Sequence, residues 1–236
     1  MTENNKTPWI AAIGGGIAGA AITAAGLILA GPSLFGERIV REALVANPQI
    51  IMEAGDALRE DQYAQTLDPI RAALERPFYS SWKGAEKPEV TLTYFYDYAC
   101  GYCRQANPDI ERLLKENKDL RVVYRELPIL GPGSVAAARV SLAASKAGKF
   151  AAYHDALYAA GRPSEETVTL AAKAAGVPAQ PVNDAAHEVE LRSNMELASQ
   201  LGATGTPLFV IGNRVINAAV GYDKLKEAVE AARKKA

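Results

Sequence analysis

Cys100 and Cys103, the only cysteines of this chain, stand two residues apart in the run DYACGYCRQANPDI, from Asp97 to Ile110. A C-x-x-C pair can cycle between dithiol and disulfide, supply half of a tetrahedral metal site, or close a small structural loop. Zinc sites use four ligands, and the only histidines, His154 and His187, lie far apart and outside any finger spacing. No metal and no cofactor are therefore expected. A bridge this short closes little chain and stabilises little. The remaining chemistry is thiol–disulfide exchange, and the placement of the pair favours it. Val90 to Tyr96, VTLTYFY, reads as a strand, Asp97 to Ala99 as a turn, and Gly101 onward as a helix. Cys100 then sits where unpaired N–H groups and the positive end of the helix dipole favour a thiolate. Cys103 lies one turn deeper, placed to attack a mixed disulfide formed at Cys100.

The elements that must hold this pair follow from periodicity. Leu120 to Leu127, LRVVYREL, reads as a second strand, parallel to the first because the crossover carries a helix. Residues 134–201 read as a helical insertion. An alanine-rich stretch runs from Ser134 to Ala160 and breaks around Gly148. A helix capped by Ser164 ends at Gly176, and a third runs from Asp184 to Leu201. GTPLFVIGNRVINAAVGY then gives a hairpin, Leu208 to Ile211 and Arg214 to Ile216 around Gly212-Asn213, before a last helix from Tyr222 to Lys235. The order is β-α-β, helical insertion, β-β-α, in a domain over 90–236. His154 and His187 fall in helices and read as plain helix residues, and Tyr98 as packing.

Upstream, the chain of 236 residues changes character. No charge occurs between Lys6 and Glu37, and Trp9 to Ala30, WIAAIGGGIAGAAITAAGLILA, is long enough to span a hydrocarbon core. Residues 1–36 are read as a tail with an uncleaved transmembrane anchor, the alternative being a signal peptide. Gly15 and Gly19 form a G-x-x-x-G pair, though small residues are simply common in this segment. Lys6 on one side against Arg38 and Arg41 on the other does not decide orientation. Residues 37–75 carry helical apolar stripes, Ile39, Val40, Ala43 and Leu44, then Ile50, Ile51, Ala54 and Leu58, with restarts at Asn47-Pro48 and Asp68-Pro69. Such stripes need a partner, and self-association is the expectation. RPFYSSWKGAEKPE, residues 76–89, reads as a linker. The net charge of −1 gives no basic footprint for nucleic acid.

FYDYACGYC, the helical insertion and GTPLFVIG together resemble the DsbA-type branch of the thioredoxin superfamily, over Val90 to the C-terminus. REALVANPQIIMEA resembles the N-terminal segment of ScsC-type proteins, some of which oligomerise through it. The resemblance implies an α/β thioredoxin fold with a helical insertion, preceded by an N-terminal helical segment and a transmembrane anchor. It implies that Cys100 attacks, that Cys103 resolves, and that a cis Pro207 faces them, with Thr206 offering its backbone to substrate. Asp97 is a candidate proton acceptor for Cys103, with a capping or turn role equally open. Strong oxidants of the family carry a histidine between the cysteines. Gly101-Tyr102 stands there instead, which implies a less oxidising disulfide and resembles the dipeptide of bacterial disulfide isomerases. The implied protein is an isomerase or reductase of cysteine-containing protein substrates in the periplasm, anchored in a bacterial inner membrane. It is kept reduced by a membrane thiol–disulfide electron donor and is a homo-oligomer, with a trimer favoured. A signal peptide would instead give a soluble periplasmic protein. A dithiol oxidase kept oxidised by a quinone-linked partner, and a thioredoxin-like adaptor or chaperone with incidental cysteines, remain as alternatives.

Overall fold

A computed structural model describes residues 36–180 and 184–234. The expected anchor at Trp9 to Ala30 lies outside the described residues. Among the described residues, no helix is long and apolar enough to cross a membrane. The chain divides into two compact units, Met1–Leu58 and Arg59–Ala236.

In the first unit the chain is helical over residues 36–46 (α1) and breaks at Asn47-Pro48. It restarts in α2, Gln49–Leu67, which crosses the boundary between the units. Proline fits this restart because the first helical turn needs no N–H from it. Ile39, Val40, Val45, Ile51, Met52 and Leu58 are all exposed.

The second unit is built on a five-stranded sheet of order β1-β3-β2-β4-β5. Its strands are β1 (Trp82–Gly84), β2 (Val90–Tyr96), β3 (Leu120–Glu126), β4 (Leu208–Ile211) and β5 (Arg214–Ile216). β2 and β3 are parallel, joined by α4 (Gly101–Glu116), while β4 pairs antiparallel with β2 and β5 with β4. Strand side chains alternate between faces, so each strand feeds two cores. Leu92, Tyr94 and Tyr96 of β2, with Phe209 and Ile211 of β4, meet Ile110 and Leu113 of α4 and Leu225 and Val229 of α9 (Tyr222–Arg233). Phe95, Leu208 and Val210 point the other way, onto Leu67, Leu74, Leu197 and Leu201.

The insertion comprises α5 (Pro132–Lys146), α6 (Phe150–Ala160), α7 (Glu165–Ala175) and α8 (Ala185–Gln200). Its boundaries follow local chemistry. Gly148 has φ +71° between α5 and α6. Ser164 and Thr167 form a reciprocal capping box, and Gly176 closes α7 in the left-handed region.

Two expected boundaries are corrected. The stretch 76–89 is not only linker: Trp82–Gly84 forms edge strand β1, antiparallel to β3 with Lys83 opposite Val122. Gly84 has φ +102°, and a Cβ there would lie 2.2 Å from the Leu120 carbonyl oxygen, so glycine is what lets β1 close on the sheet. The helical segment 37–75 also does not stand apart as a whole. Leu67 of α2 and Leu74 of α3 (Arg71–Glu75) are fully buried in the second core, because the outer face of β2 and β4 needs a cover. Arg125 of β3 fastens that cover. Its Nε donates to Leu74 O, its Nη2 to Ala73 O and Arg76 O, and its Nη1 to Glu190 Oε1 and Asn194 Oδ1 of α8.

Candidate active site

The site forms where β2 ends and α4 begins. Cys100 is the N-cap of α4, with extended backbone (φ −76°, ψ 118°), and its Sγ accepts from Cys103 N at 3.4 Å. Its thiol donates to the Thr206 carbonyl at 3.2 Å, while its own N–H donates to Asp97 O at 3.0 Å. The nucleophile candidate is thus held from both sides, by the turn before it and by the loop before β4. Both thiols are free. Cys100 keeps 6% exposure and Cys103 none, so only the first meets solvent.

Burial pushes the Cys103 thiol up to about 12, with the neighbouring Cys100 adding to the rise. The Asp97 backbone and the side chains of Tyr94 and Thr206 pull the other way.

The remaining sequence candidates fall into place around this pair. The Thr206-Pro207 peptide bond is cis, with Thr206 O facing Cys100. Gly101 has open space where a Cβ would stand, and Tyr102 is 65% exposed. Asp97 is buried, and its carboxylate accepts from Ala99 N at 2.7 Å and Leu130 N at 2.9 Å. These are turn contacts: Asp97 shapes the approach to Cys100 and ties in the loop that exposes Ile129 and Leu130. The proton-acceptor reading of Asp97 finds no side-chain hydrogen bond to Cys103 to support it. Tyr98 packs in the core, its hydroxyl 2.9 Å from Ser141 Oγ. His154 is buried against Tyr96, Tyr98, Tyr124, Phe150 and Tyr158, and His187 is buried as well. Among the described residues no His/Cys/Asp/Glu cluster could hold a metal.

Sequence reasoning missed four side chains behind the cysteines. Tyr94 donates to Cys103 O at 3.3 Å. Tyr158 of α6 donates to Asp97 O at 3.3 Å, and Arg104, next to Cys103, binds the carbonyls of Tyr158 and Gly161. Glu126 of β3 is 2% exposed and accepts from the Tyr96 hydroxyl. Burial, reinforced by the Asp97 and Glu190 charges, raises its carboxyl to about 8 against the hydrogen bonds of Ser141 and Tyr96. The one available signal for Glu126 was an acidic residue closing the strand LRVVYRE beside Arg125.

Residues 91–230 match the DSBA-like thioredoxin domain family, and residues 37–65 match the copper resistance protein ScsC N-terminal domain. Similar solved structures include a thioredoxin-like oxidoreductase from Silicibacter pomeroyi DSS-3, 36% identical over 66% of this chain and 92% of that one, with TM-score 0.63. A periplasmic thioredoxin-like protein from Salmonella enterica serovar Typhimurium is 33% identical over 70% and 96%, with TM-score 0.65. ScsC of Proteus mirabilis in a transitional conformation is 30% identical over 85% and 94%, with TM-score 0.68. Two curated relatives are Na(+)/H(+) antiporters of Salinispora, of which this chain spans small parts. NhaA 3 of S. tropica is 35% identical over 79 residues, 12% of its length, and NhaA 1 of S. arenicola is 28% identical over 160 residues, 24% of its length.

Proposed function

We propose, from the premise that this chain belongs to the DsbA-like thioredoxin family, that it is a thiol–disulfide oxidoreductase working on exported proteins as an isomerase and reductase. The observation that carries this reading is the free cysteine pair at the head of α4, with the outer sulfur of Cys100 against the Thr206 carbonyl and the inner one buried. In this reading the Cys100 thiolate attacks a substrate disulfide, a mixed disulfide forms, and one substrate sulfur leaves as a thiolate that takes up a proton. A second substrate thiolate can then attack the mixed disulfide and regenerate Cys100, which exchanges partners with no net electron flow. Alternatively Cys103 attacks Cys100, releases the reduced substrate, and leaves an internal disulfide. A membrane thiol–disulfide donor would return two electrons to that disulfide.

Thr206 and Pro207 would seat the substrate backbone, and Gly101-Tyr102 would keep the disulfide mildly oxidising. The anchor at Trp9 to Ala30 would hold the enzyme at the inner membrane with the catalytic unit in the periplasm. The similarity to a periplasmic thioredoxin-like protein supports that side. The exposed apolar side chains Ile39, Val40, Val45, Ile51, Met52 and Leu58, and the match to the ScsC N-terminal domain, support assembly of this segment with copies of itself, and a trimer is the assembly proposed.

The test uses fragments beginning at Glu37 and at Arg59, the second chosen because Leu67 and Leu74 belong to the catalytic core. Light scattering should give a trimer for the longer fragment and a monomer for the shorter. Both should reduce disulfides, and only the longer should repair scrambled ribonuclease. A monomeric longer fragment, or cysteines found oxidised in intact cells, would favour the dithiol oxidase. Repair that survives loss of both cysteines would favour the adaptor.

A further inference from the structure

Resolution asks something difficult of Cys103. Its sulfur must become a thiolate at a position with no solvent exposure, where water cannot solvate the charge. Some fixed group has to do so instead. The ionisable groups facing Cys103 are Cys100 at the head of its own helix, Tyr94 from β2 and Tyr158 from α6. Asp97 presents only its backbone, and Glu126 stands beyond Tyr96, to which it is hydrogen-bonded. Arg104 is held by the carbonyls of Tyr158 and Gly161. Thr206 also reaches Cys103, from the loop on which a substrate would lie.

Tyr94 is the donor that comes from the core. It is fully buried, and its ring stacks on Phe209 at 4.9 Å and 16°, with Tyr96 at 5.3 Å. The ring is therefore fixed, while the hydroxyl hydrogen can still rotate. That hydrogen is shared between two long contacts, Cys103 O at 3.3 Å and Asn107 Oδ1 at 3.5 Å. Neither uses it well, since such bonds are best near 2.7–3.0 Å. Burial, with Tyr158 and Cys103 adding to it, raises the phenol well above its ordinary range, so it stays a donor across the working pH.

We infer that the Tyr94 hydroxyl is the core-side hydrogen-bond donor to the Cys103 sulfur during resolution, turning from the Cys103 carbonyl and Asn107 as the thiolate forms. The inference rests on the assignment of Cys100 as attacking and Cys103 as resolving sulfur. In the step, Cys103 gives up its proton, which passes in the end to the departing substrate sulfur, and its thiolate attacks Cys100 Sγ. The Cys100–Cys103 bond forms as the bond from Cys100 to the substrate sulfur breaks. The substrate leaves as a thiolate and takes up a proton. The protein dithiol is oxidised and the substrate reduced, and Tyr94 keeps its proton throughout.

Dithionitrobenzoate separates the two halves of the reaction in the full-length chain. Attack by Cys100 releases one thionitrobenzoate and leaves a mixed disulfide. Attack by Cys103 releases the second. In Tyr94→Phe, which keeps the stacked ring, the first release should match wild type. The second should be about ten-fold slower at neutral pH, the loss expected for one hydrogen bond to a charge. Its pH profile should move upward by about one unit. Asn107→Ala removes the competing acceptor and should leave the second release as fast as wild type or faster. Equal slowing in Asn107→Ala and Tyr94→Phe, or an unmoved pH profile in Tyr94→Phe, would overturn the inference. If Tyr94→Phe does not fold, fluorotyrosine placed at position 94, a stronger donor of the same shape, should speed the second release, and an unchanged rate would overturn it. Cys103→Ala must trap the mixed disulfide after one release. If it does not, the assignment of the two sulfurs fails rather than the role of Tyr94.

Discussion

Replacing Glu126 by Gln should change how stability depends on pH more than it changes stability itself. The Glu126 carboxyl is 2% exposed, and its affinity for a proton rises from an ordinary 4.5 to about 8 in the folded protein. The folded-state value is the raised one, so the stability this group contributes is fully present below about pH 4.5 and is lost as pH climbs towards 8. Within that window the unfolded chain has released the proton and the folded chain holds it. Stability then falls by about 1.4 kcal/mol per pH unit, on the order of 4 kcal/mol between pH 5 and pH 8. Glutamine fills the same volume, can still accept from the Tyr96 hydroxyl, and does not titrate. The variant and the wild type should therefore differ least at pH 5 and increasingly favour the variant towards pH 8. Groups that titrate alike in both proteins, His154 among them, cancel in the difference. Urea unfolding in buffers from pH 5 to 8, followed by Trp82 fluorescence, measures it. A variant-minus-wild-type difference that stays constant within about 1 kcal/mol over that range would refute a neutral, buried Glu126.

Leu74→Ala should destabilise the catalytic unit by about 2–5 kcal/mol in the same unfolding assay, since Leu74 is 1% exposed against Phe95, Leu208 and Val210. A cost below about 1 kcal/mol would mean that α3 does not share that core. Tyr102→His should raise the reduction potential of the cysteine pair by roughly 20 mV in glutathione equilibria, because an imidazolium there adds positive charge beside the Cys100 thiolate. Gly101 and Tyr102 leave room for the new ring, so an unchanged potential would contradict the electrostatic reading of that dipeptide.

The parts of this molecule legible in the sequence were those whose chemistry is local. The strand, turn and helix around Cys100, the capping at Ser164 and Gly176, and the hairpin at Gly212-Asn213 each follow from neighbours along the chain. β1 was not legible. Three residues, Trp82–Gly84, are too few to show alternation, and the prolines and glycine nearby read as linker. Its order comes from β3, against which it pairs. The depth of Leu74 was illegible for a related reason. Its helical stripe was visible, but not that the face it meets belongs to β2 and β4 rather than to another copy. Tyr94 read only as a strand residue, since its meeting with Cys103 depends on how α4 packs over the sheet. Glu126 read as a strand end, because its neutrality comes from elements far along the chain.

Arg125 has a consequence for the medium this protein meets. A guanidinium has five N–H donors, and here each has an acceptor: the carbonyls of Ala73, Leu74 and Arg76 and the side chains of Glu190 and Asn194. Four of the five are neutral oxygens, three of them at the negative end of a short helix, and the fifth belongs to the Glu190 carboxylate, which supplies the opposite charge. Added salt competes with pairs such as Lys224–Glu227 at the surface. It has no route to a guanidinium that is 4% exposed. The seam between α3, α8 and the sheet is therefore insulated from ionic strength, and a catalytic unit working where the surrounding salt is uncontrolled would keep its joint while its surface pairs come and go.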